Sequence, residues 1–217
     1  MIPVKLSGVT RVLCLGAHSD DIEIGCGGTV LHLIESSDRI EFYWMVLSSD
    51  SSRAKEAERS ARAFLRRAKA KTIVVKSFRD GFFPYEGAQV KECFEEVKKA
   101  FVPDVIFTHF RHDLHQDHRL VSELTWNTFR NHLILEYEIP KYDADLGSPN
   151  FFVPLSESIC RRKVQGLMRY FGTQRNKQWF SEDLFKGLMR LRGMEASSPS
   201  CFAEAFHCRK MLLDCLN

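Results

Sequence analysis

Short apolar runs alternate with amphipathic stretches over the first two thirds of the chain. The apolar runs are rich in β-branched and aromatic residues, which predicts β-strands. These strands cover 11–15, 40–47, 72–75, 104–108 and 132–138. In the stretches between them apolar residues recur at helical spacing, which predicts helices over 25–33, 53–67, 88–101 and 119–129. Repeated strand–helix units are typical of a mostly parallel α/β sheet flanked by helices.

The last third of the chain has a different pattern. Residues 139–150 contain two prolines, a glycine and several Asp or Asn turn formers, which predicts a loop. A short extended piece follows at 151–154, and 203–206 is predicted as a short strand or a loop. Ser156 and Ser181 are placed to cap helices that run to positions 170 and 191. No repeat or linker divides the chain, so we expect one domain over residues 1–217.

Composition places the chain among ordinary globular proteins, with 44% hydrophobic and 27% charged residues. A net charge of +3 is too small to indicate a nucleic-acid partner. No apolar run approaches the roughly 20 residues of a membrane helix, and the N-terminus lacks a signal-peptide pattern. The seven cysteines form no Cys-x-x-Cys pair, which predicts mostly buried free thiols. We therefore expect a cytoplasmic protein without a membrane partner.

Two clusters of polar residues each follow an apolar strand. Alone, the first could be a helix cap and a solvated turn. Carboxyl ends of parallel strands share one edge of a sheet, however, so the two clusters should face each other there. Two histidines and one carboxylate, with room for water, commonly hold catalytic zinc. The pairing therefore favours a metal site built from these residues: His18, Asp20 and Asp21 with His115, Asp117 and His118.

The amino-acid sequences of these two clusters resemble the motifs of a known family. Ala17-His-Ser-Asp-Asp21 and the later Leu114-His-Gln-Asp-His-Arg119 resemble the two motifs of the LmbE-like (PIG-L) zinc-dependent N-acetylglucosaminyl deacetylases. The family motifs read Ala-His-Pro-Asp-Asp-Glu and His-Pro-Asp-His, or a close variant. Ser and Gln replace the prolines, which carry no chemistry. Ile22 occupies the Glu position and Glu23 comes one residue late, so the supporting role of that Glu is open.

The resemblance implies a Rossmann-like sheet with the active site at the C-terminal edge of its strands. It also implies one Zn²⁺ per subunit, or another divalent metal, bound by His18, Asp21 and His118. Asp20 would be the general base that takes a proton from water, and a protonated His115 would polarise the amide and stabilise the oxyanion. The resemblance further implies sugar or phosphate contacts from Arg53 and Asp80. We expect Asp117 to hold His115 in place rather than to act as a fourth metal ligand. The segments 139–150 and 172–177 are expected to shape the substrate mouth.

The activity implied by the resemblance is removal of the N-acetyl group from a GlcNAc-type sugar or sugar conjugate, with release of acetate. A small aminosugar substrate and a homo-oligomer are implied in the same way. One alternative is a metal-dependent hydrolase of another bond such as a phosphoester, although such enzymes often use two metals. Another is a sugar- or nucleotide-binding module without turnover, which the displaced Glu keeps open. The sugar and its aglycone are not determined by the sequence.

Overall fold

Strands and helices alternate from Arg11 onward in the computed structural model, which describes residues 3–6 and 8–212. The strands are β1 Arg11–Gly16, β2 Glu41–Val46, β3 Ala70–Val75, β4 Val105–His109, β5 Leu133–Tyr137, β6 Phe151–Pro154 and β7 Ala203–Cys208. The helices are α1 Asp21–Ser36, α2 Ser51–Phe64, α3 Gly87–Ala100, α4 Gln116–Thr128, α5 Glu157–Tyr170 and α6 Glu182–Glu195. Short 3₁₀ turns lie at Phe83–Tyr85 and Gly172–Gln174.

The strands form a sheet in the order β3-β2-β1-β4-β5-β7-β6. The pairs from β3 to β5 are parallel, and β7 pairs antiparallel with both β5 and β6. The predicted mostly parallel α/β sheet is therefore confirmed. From β1 the chain moves outward through β2 and β3 and then returns to β4 on the other side of β1. This reversal creates a crevice at the carboxyl ends of β1 and β4, where α/β proteins bind ligands.

Helices cover both faces of the sheet and enclose two apolar clusters. One cluster lies beneath α1, α2, α5 and α6 and includes Trp44, Phe107 and Phe206. The other lies beneath α3 and α4 and includes Phe94 and Ile106. All five side chains are almost completely buried. Burial on both faces explains why the central strands appear in the sequence as continuous apolar runs.

A buried ion pair is bonded into the middle of α1. Lys163 of α5 and Glu204 of β7 lie 2.5 Å apart, and both are almost inaccessible to solvent. Glu204 accepts the backbone N–H groups of Gly28 and Thr29 at 2.8 and 2.6 Å, and Lys163 donates to the Ile24 carbonyl at 2.6 Å. A side chain at position 28 would collide with Leu155 and Glu204, so only glycine allows this approach. The pair therefore ties α1 to the C-terminal part of the sheet.

The helices between the parallel strands begin earlier than the sequence predicts, and the difference is largest for α1 and α4. The first was expected from Gly25 but begins at Asp21, and the one expected from Arg119 begins at Gln116. Polar residues at these positions were interpreted as loop, whereas they occupy helix first turns. His115 caps α4 by accepting the Asp117 backbone N–H at its Nδ1. Both polar clusters therefore straddle a strand–helix junction, which fixes their side-chain directions.

The helix caps, the last strand and the cysteines agree with most of what the sequence predicts. Ser156 and Ser181 each accept a backbone N–H at the start of α5 and α6, as predicted, although α6 runs to Glu195. The 203–206 segment is a strand. The described cysteines are free and four of them are buried, whereas Cys215 lies outside the described residues. In the part of the chain that the structure describes, no helix is both long and apolar enough to cross a membrane.

Candidate metal centre

Three donor atoms converge where β1 and β4 end. His18 Nδ1 lies 3.1 Å from His118 Nε2 and 3.3 Å from Asp21 Oδ2, and the last two atoms are 3.5 Å apart. Zinc bonds to nitrogen and oxygen separate tetrahedral donors by roughly 3.3–3.5 Å. Two imidazoles and a carboxylate also form a donor set that Zn²⁺ accepts. The residues therefore fit such an ion, and they are the three that the sequence motifs suggest.

Asp113 forms a hydrogen bond with the ring nitrogen of His118 that lies away from the other two donor atoms. His118 Nδ1 lies 2.9 Å from Asp113 Oδ2, so Nδ1 carries the proton and Nε2 is left free as a donor to a metal. Asp113 also accepts the His115 backbone N–H at 2.8 Å and lies 3.0 Å from Lys141 Nζ. Burial alone would raise the pKa of Asp113, but the hydrogen bond with His118 is among the contacts that lower it to about 2. Asp113 is therefore a carboxylate that fixes the orientation of His118.

His18 has its own carboxylate partners. Its Nε2 lies 3.1 Å from Asp80 Oδ1 and 3.3 Å from Asp117 Oδ2. Asp117 is fully buried and also accepts the backbone N–H groups of Gly81 and Phe83 at 2.6 and 3.1 Å. The sequence suggested that Asp117 supports His115, but its carboxylate contacts His18 instead. The hydrogen bond from Asp117 to His115 comes from its backbone N–H.

Sequence reasoning missed His109, the last residue of β4. Its Nε2 accepts the Ala17 backbone N–H at 3.0 Å and lies 3.2 Å from Asp21 Oδ2. Its ring stacks on His118 with centroids 3.9 Å apart and an interplanar angle of 20°. The side chain is 0% exposed. It therefore contacts two of the three converging donors, and the available signal was its position at the end of the strand that precedes the second motif.

Asp20 and Arg53 form the next part of the site. Arg53 Nη2 lies 3.3 Å from Asp20 Oδ1, and its Nη1 lies 3.7 Å from Asp80 Oδ2. Among the described residues, Asp20 Oδ2 has no hydrogen-bond partner. Burial, assisted by the charge of Asp21, raises the pKa of Asp20, whereas Arg53 lowers it to a smaller extent. The structure therefore brings Arg53 and Asp80 together beside an unusually basic carboxylate.

His115 lies beside the donor atoms, with its ring centroid 4.8 Å from that of His18 and 4.6 Å from that of His118. Its Nδ1 accepts the Asp117 backbone N–H at 3.2 Å, so the proton of a neutral ring is on Nε2. Burial and the neighbouring His18 lower the pKa of His115. The protonated His115 expected from the resemblance is therefore disfavoured, and a neutral ring that donates through Nε2–H is favoured.

The displaced acidic residue does not join this centre. Ile22 is fully buried in the apolar cluster beneath α1, where a family member would have Glu. Glu23 is also fully buried, and within the described chain neither of its carboxyl oxygens has a hydrogen-bond partner. Burial raises the pKa of Glu23 to about 8, with a smaller opposite effect from Ser60. One residue along a helix turns a side chain by about 100°, so Glu23 does not replace the missing group.

A pocket of about 340 Å³ opens over the donor atoms. Its lining includes the sequence-predicted residues His18, Asp20, Asp21, Arg53, Asp80, His115 and His118. The loop after β5 and the segment after α5 add Ile139, Lys141, Tyr142, Asp143, Gln174, Lys177 and Trp179. Both segments expected to shape the substrate mouth are therefore found there. A volume of this size is at the lower end of the usual range for small-molecule sites.

Comparisons with known proteins identify a family and a shared fold. Residues 13–129, more than half of the chain, match the PIG-L family, described as GlcNAc-PI de-N-acetylase. The structure resembles N,N'-diacetylchitobiose deacetylase from Pyrococcus horikoshii, with a TM-score of 0.70, 21% identity, and 93% of this chain and 84% of the other covered. It also resembles the zinc-inhibited form of teicoplanin deacetylase Orf2, with a TM-score of 0.69, 14% identity and coverages of 92% and 97%. The 4-carboxy-2-hydroxymuconate hydratase GalB from Pseudomonas putida KT2440 has the same fold, with a TM-score of 0.73, 15% identity and coverages of 96% and 100%.

Proposed function

The chain belongs to the PIG-L family, and on that premise we propose that it is a zinc-dependent hydrolase that removes the N-acetyl group from a GlcNAc-type sugar or sugar conjugate. The observation that carries the proposal is the triangle of donor atoms from His18, Asp21 and His118, with sides of 3.1, 3.3 and 3.5 Å. Two of the similar solved structures are deacetylases by their own descriptions, which supports the same choice of reaction.

The other residues of the site have defined roles in amide hydrolysis. Zn²⁺ held by the three donors would supply an acidified water and polarise the acetamide carbonyl. Asp20 accepts the water proton through its free Oδ2, aided by its raised pKa, and returns a proton to the departing amine. His115 donates its Nε2–H to the carbonyl oxygen as negative charge develops there. Arg53 fixes the direction of the Asp20 carboxylate.

The alternatives make different predictions for the same pocket. A binding module without turnover has no need of a basic carboxylate with an unpaired oxygen beside a ring that donates Nε2–H. The fold also occurs in a hydratase, so fold alone does not select the reaction. Phosphoester hydrolysis remains the other hydrolytic alternative. The assay therefore measures acetate release, phosphate release and hydration side by side.

The decisive variant is Asp20→Asn. We expect it to lower kcat for acetate release by about 10²- to 10⁴-fold, since it removes the base, while bound zinc stays at the wild-type level. A chelator should abolish activity, and added Zn²⁺ should restore it. Asp183→Asn, at an exposed position of α6, is the matched control. Zinc-loaded wild-type protein that releases no acetate from any GlcNAc-type substrate would contradict the proposal.

Two further parts of the proposal concern the setting of the enzyme. A cytoplasmic location is supported by the buried free thiols of Cys14, Cys26, Cys93 and Cys160, which are typical of reducing compartments. A homo-oligomer and a small aminosugar substrate are proposed from the family resemblance. Sedimentation of the purified protein tests the first of these, and substrate screening tests the second.

A further inference from the structure

Gln174 is held in one orientation at the wall of the pocket. It ends the 3₁₀ turn Gly172–Gln174, and the preceding Thr173 is bound to Glu56 of α2 through its backbone N–H at 3.0 Å and its hydroxyl at 2.6 Å. The Gln174 side-chain Nε2 donates to Thr173 Oγ1 at 3.1 Å. The amide is therefore oriented by a chain of bonds that starts on α2, one turn from Arg53.

The other end of this amide is unpaired. Gln174 is 3% exposed and lines the pocket, yet its Oε1 has no hydrogen-bond partner in the part of the chain that the structure covers. A buried acceptor without a partner is unfavourable, because it has lost its hydrogen bonds to water. Arg53 lines the same pocket and has a buried, unpaired donor at Nε. The pocket therefore holds an unpaired acceptor and an unpaired donor, each of which a polar group of a bound molecule would satisfy.

A sugar hydroxyl can both donate and accept a hydrogen bond, because it carries one donor hydrogen and two acceptor lone pairs. Trp179 lines the same pocket and is a half-buried aromatic ring, with Lys177 Nζ 5.6 Å from its centroid. Pyranose rings combine hydroxyl edges with apolar C–H faces, so a pocket lined by an amide and an indole suits them. An acetamide that is not attached to a sugar lacks this combination of hydroxyl groups and an apolar ring face.

We propose that Gln174 determines specificity, with its Oε1 accepting a hydrogen bond from a ring hydroxyl of the substrate sugar while Trp179 packs against the ring. The inference rests on the proposed deacetylase function and deepens it by assigning recognition of the sugar to the segment 171–180. That segment lies outside the residues that match the PIG-L family. Under this proposal, the residues that select the sugar are different from the residues that bind the metal.

The test combines a change in the protein with a change in the substrate. Wild type, Gln174→Met and the matched control Gln178→Met, an exposed glutamine of the same segment, are assayed on a GlcNAc conjugate and on analogues that each lack one ring hydroxyl. Wild type and Gln178→Met should lose about 10- to 100-fold in kcat/KM on one analogue. On the full sugar, kcat/KM of Gln174→Met should be lower than that of wild type by a similar factor. Its kcat/KM should be the same on that analogue as on the full sugar.

Unchanged discrimination by Gln174→Met would overturn the inference. If this variant does not fold, Gln174→Asn keeps the amide but withdraws it by one methylene, and it should lose the same discrimination. Calorimetric binding of the same sugars separates the inference from the proposed function. A wild type that binds the sugars without releasing acetate, with binding weakened by Gln174→Met, would refute the activity and support Gln174. Binding that does not depend on Gln174 would refute the inference whether or not acetate is released.

Discussion

At the scale of the residue, His109 shows how a side chain outside the motifs supports the metal donors. It contacts Asp21 through Nε2 and stacks on His118. His109→Phe retains a ring that can stack on His118 but removes the nitrogen that accepts the backbone N–H of Ala17, the neighbour of His18. We expect zinc affinity to fall by about 10- to 100-fold, as is usual when a partner of a metal ligand is lost. Competition with a fluorescent chelator measures this directly.

The control for this variant is His112→Phe, at an exposed position three residues further along the chain. It changes the same residue type outside the donor atoms and should leave zinc affinity at the wild-type value. Melting temperatures of the metal-free proteins show whether His109→Phe has lost affinity only through unfolding. Equal zinc affinity of wild type and His109→Phe would show that the nitrogen of His109 does not support the donors.

Residue roles were predictable from the sequence only where neighbouring residues determine them. The three donors that converge in the structure are those that the resemblance of the two motifs to the family implies. The partner of Asp117 was not predictable, because its contact with His18 depends on how α4 approaches β1. The segment that contains Gln174 was expected at the substrate mouth, but the unpaired state of Gln174 Oε1 was not predictable, because it depends on how the segment packs against α2.

At the scale of the element, α1 depends on the buried pair Lys163–Glu204. Glu204→Ala would leave a buried ammonium and the N–H groups of Gly28 and Thr29 without their partner. We expect the free energy of unfolding to fall by about 3–5 kcal/mol, the usual cost of breaking a buried pair from one side. Urea denaturation of the metal-free proteins measures the change.

The surface pair Lys186–Glu182 on α6 provides the comparison, because both side chains are about half exposed. Glu182→Ala should cost less than about 1 kcal/mol. The double variant Lys163→Met/Glu204→Leu removes the unpaired charge and should recover part of the loss, although the α1 N–H groups stay unsatisfied. A Glu204→Ala cost as small as that of Glu182→Ala would show that α1 does not need the pair.

At the scale of the whole molecule, Glu23 makes stability depend on pH. Its folded-state pKa of about 8 lies above the ordinary value of 4.5, because burial disfavours the charged form. The contribution of protonated Glu23 to the free energy of unfolding is therefore fully present below about pH 4.5. It is lost as pH rises through about 8. Glu23→Gln cannot ionise and should melt several degrees above wild type at pH 8, with little difference at pH 5.

The comparison uses metal-free protein in chelator, so that zinc binding does not contribute to the melting temperature. Glu123→Gln, at an exposed position of α4, controls for loss of one carboxylate and should follow wild type at both pH values. A gap between Glu23→Gln and wild type that is the same at pH 5 and pH 8 would mean that Glu23 does not titrate within this range.

The architecture was predictable where periodicity alone determines an element. The apolar runs predicted the parallel strands, and the helical spacing predicted the helices between them. The place of β7 between β5 and β6 was not predictable, because strand order depends on pairing between segments far apart in sequence. The early starts of α1 and α4 were missed because their first turns contain Asp and His residues, which local propensity assigns to turns.

The attachment of α1 to Glu204 also has a consequence for protein synthesis. The residues that converge on the metal leave the ribosome as the first half of the chain, but the ion pair that completes α1 requires positions 163 and 204. A nascent chain that has passed residue 118 therefore carries every donor while the scaffold that orients them is unfinished. We therefore expect zinc to bind only after β7 has emerged from the ribosome, rather than during the folding of the first half of the chain. Ribosome-stalled chains of increasing length would show the point at which metal is first retained.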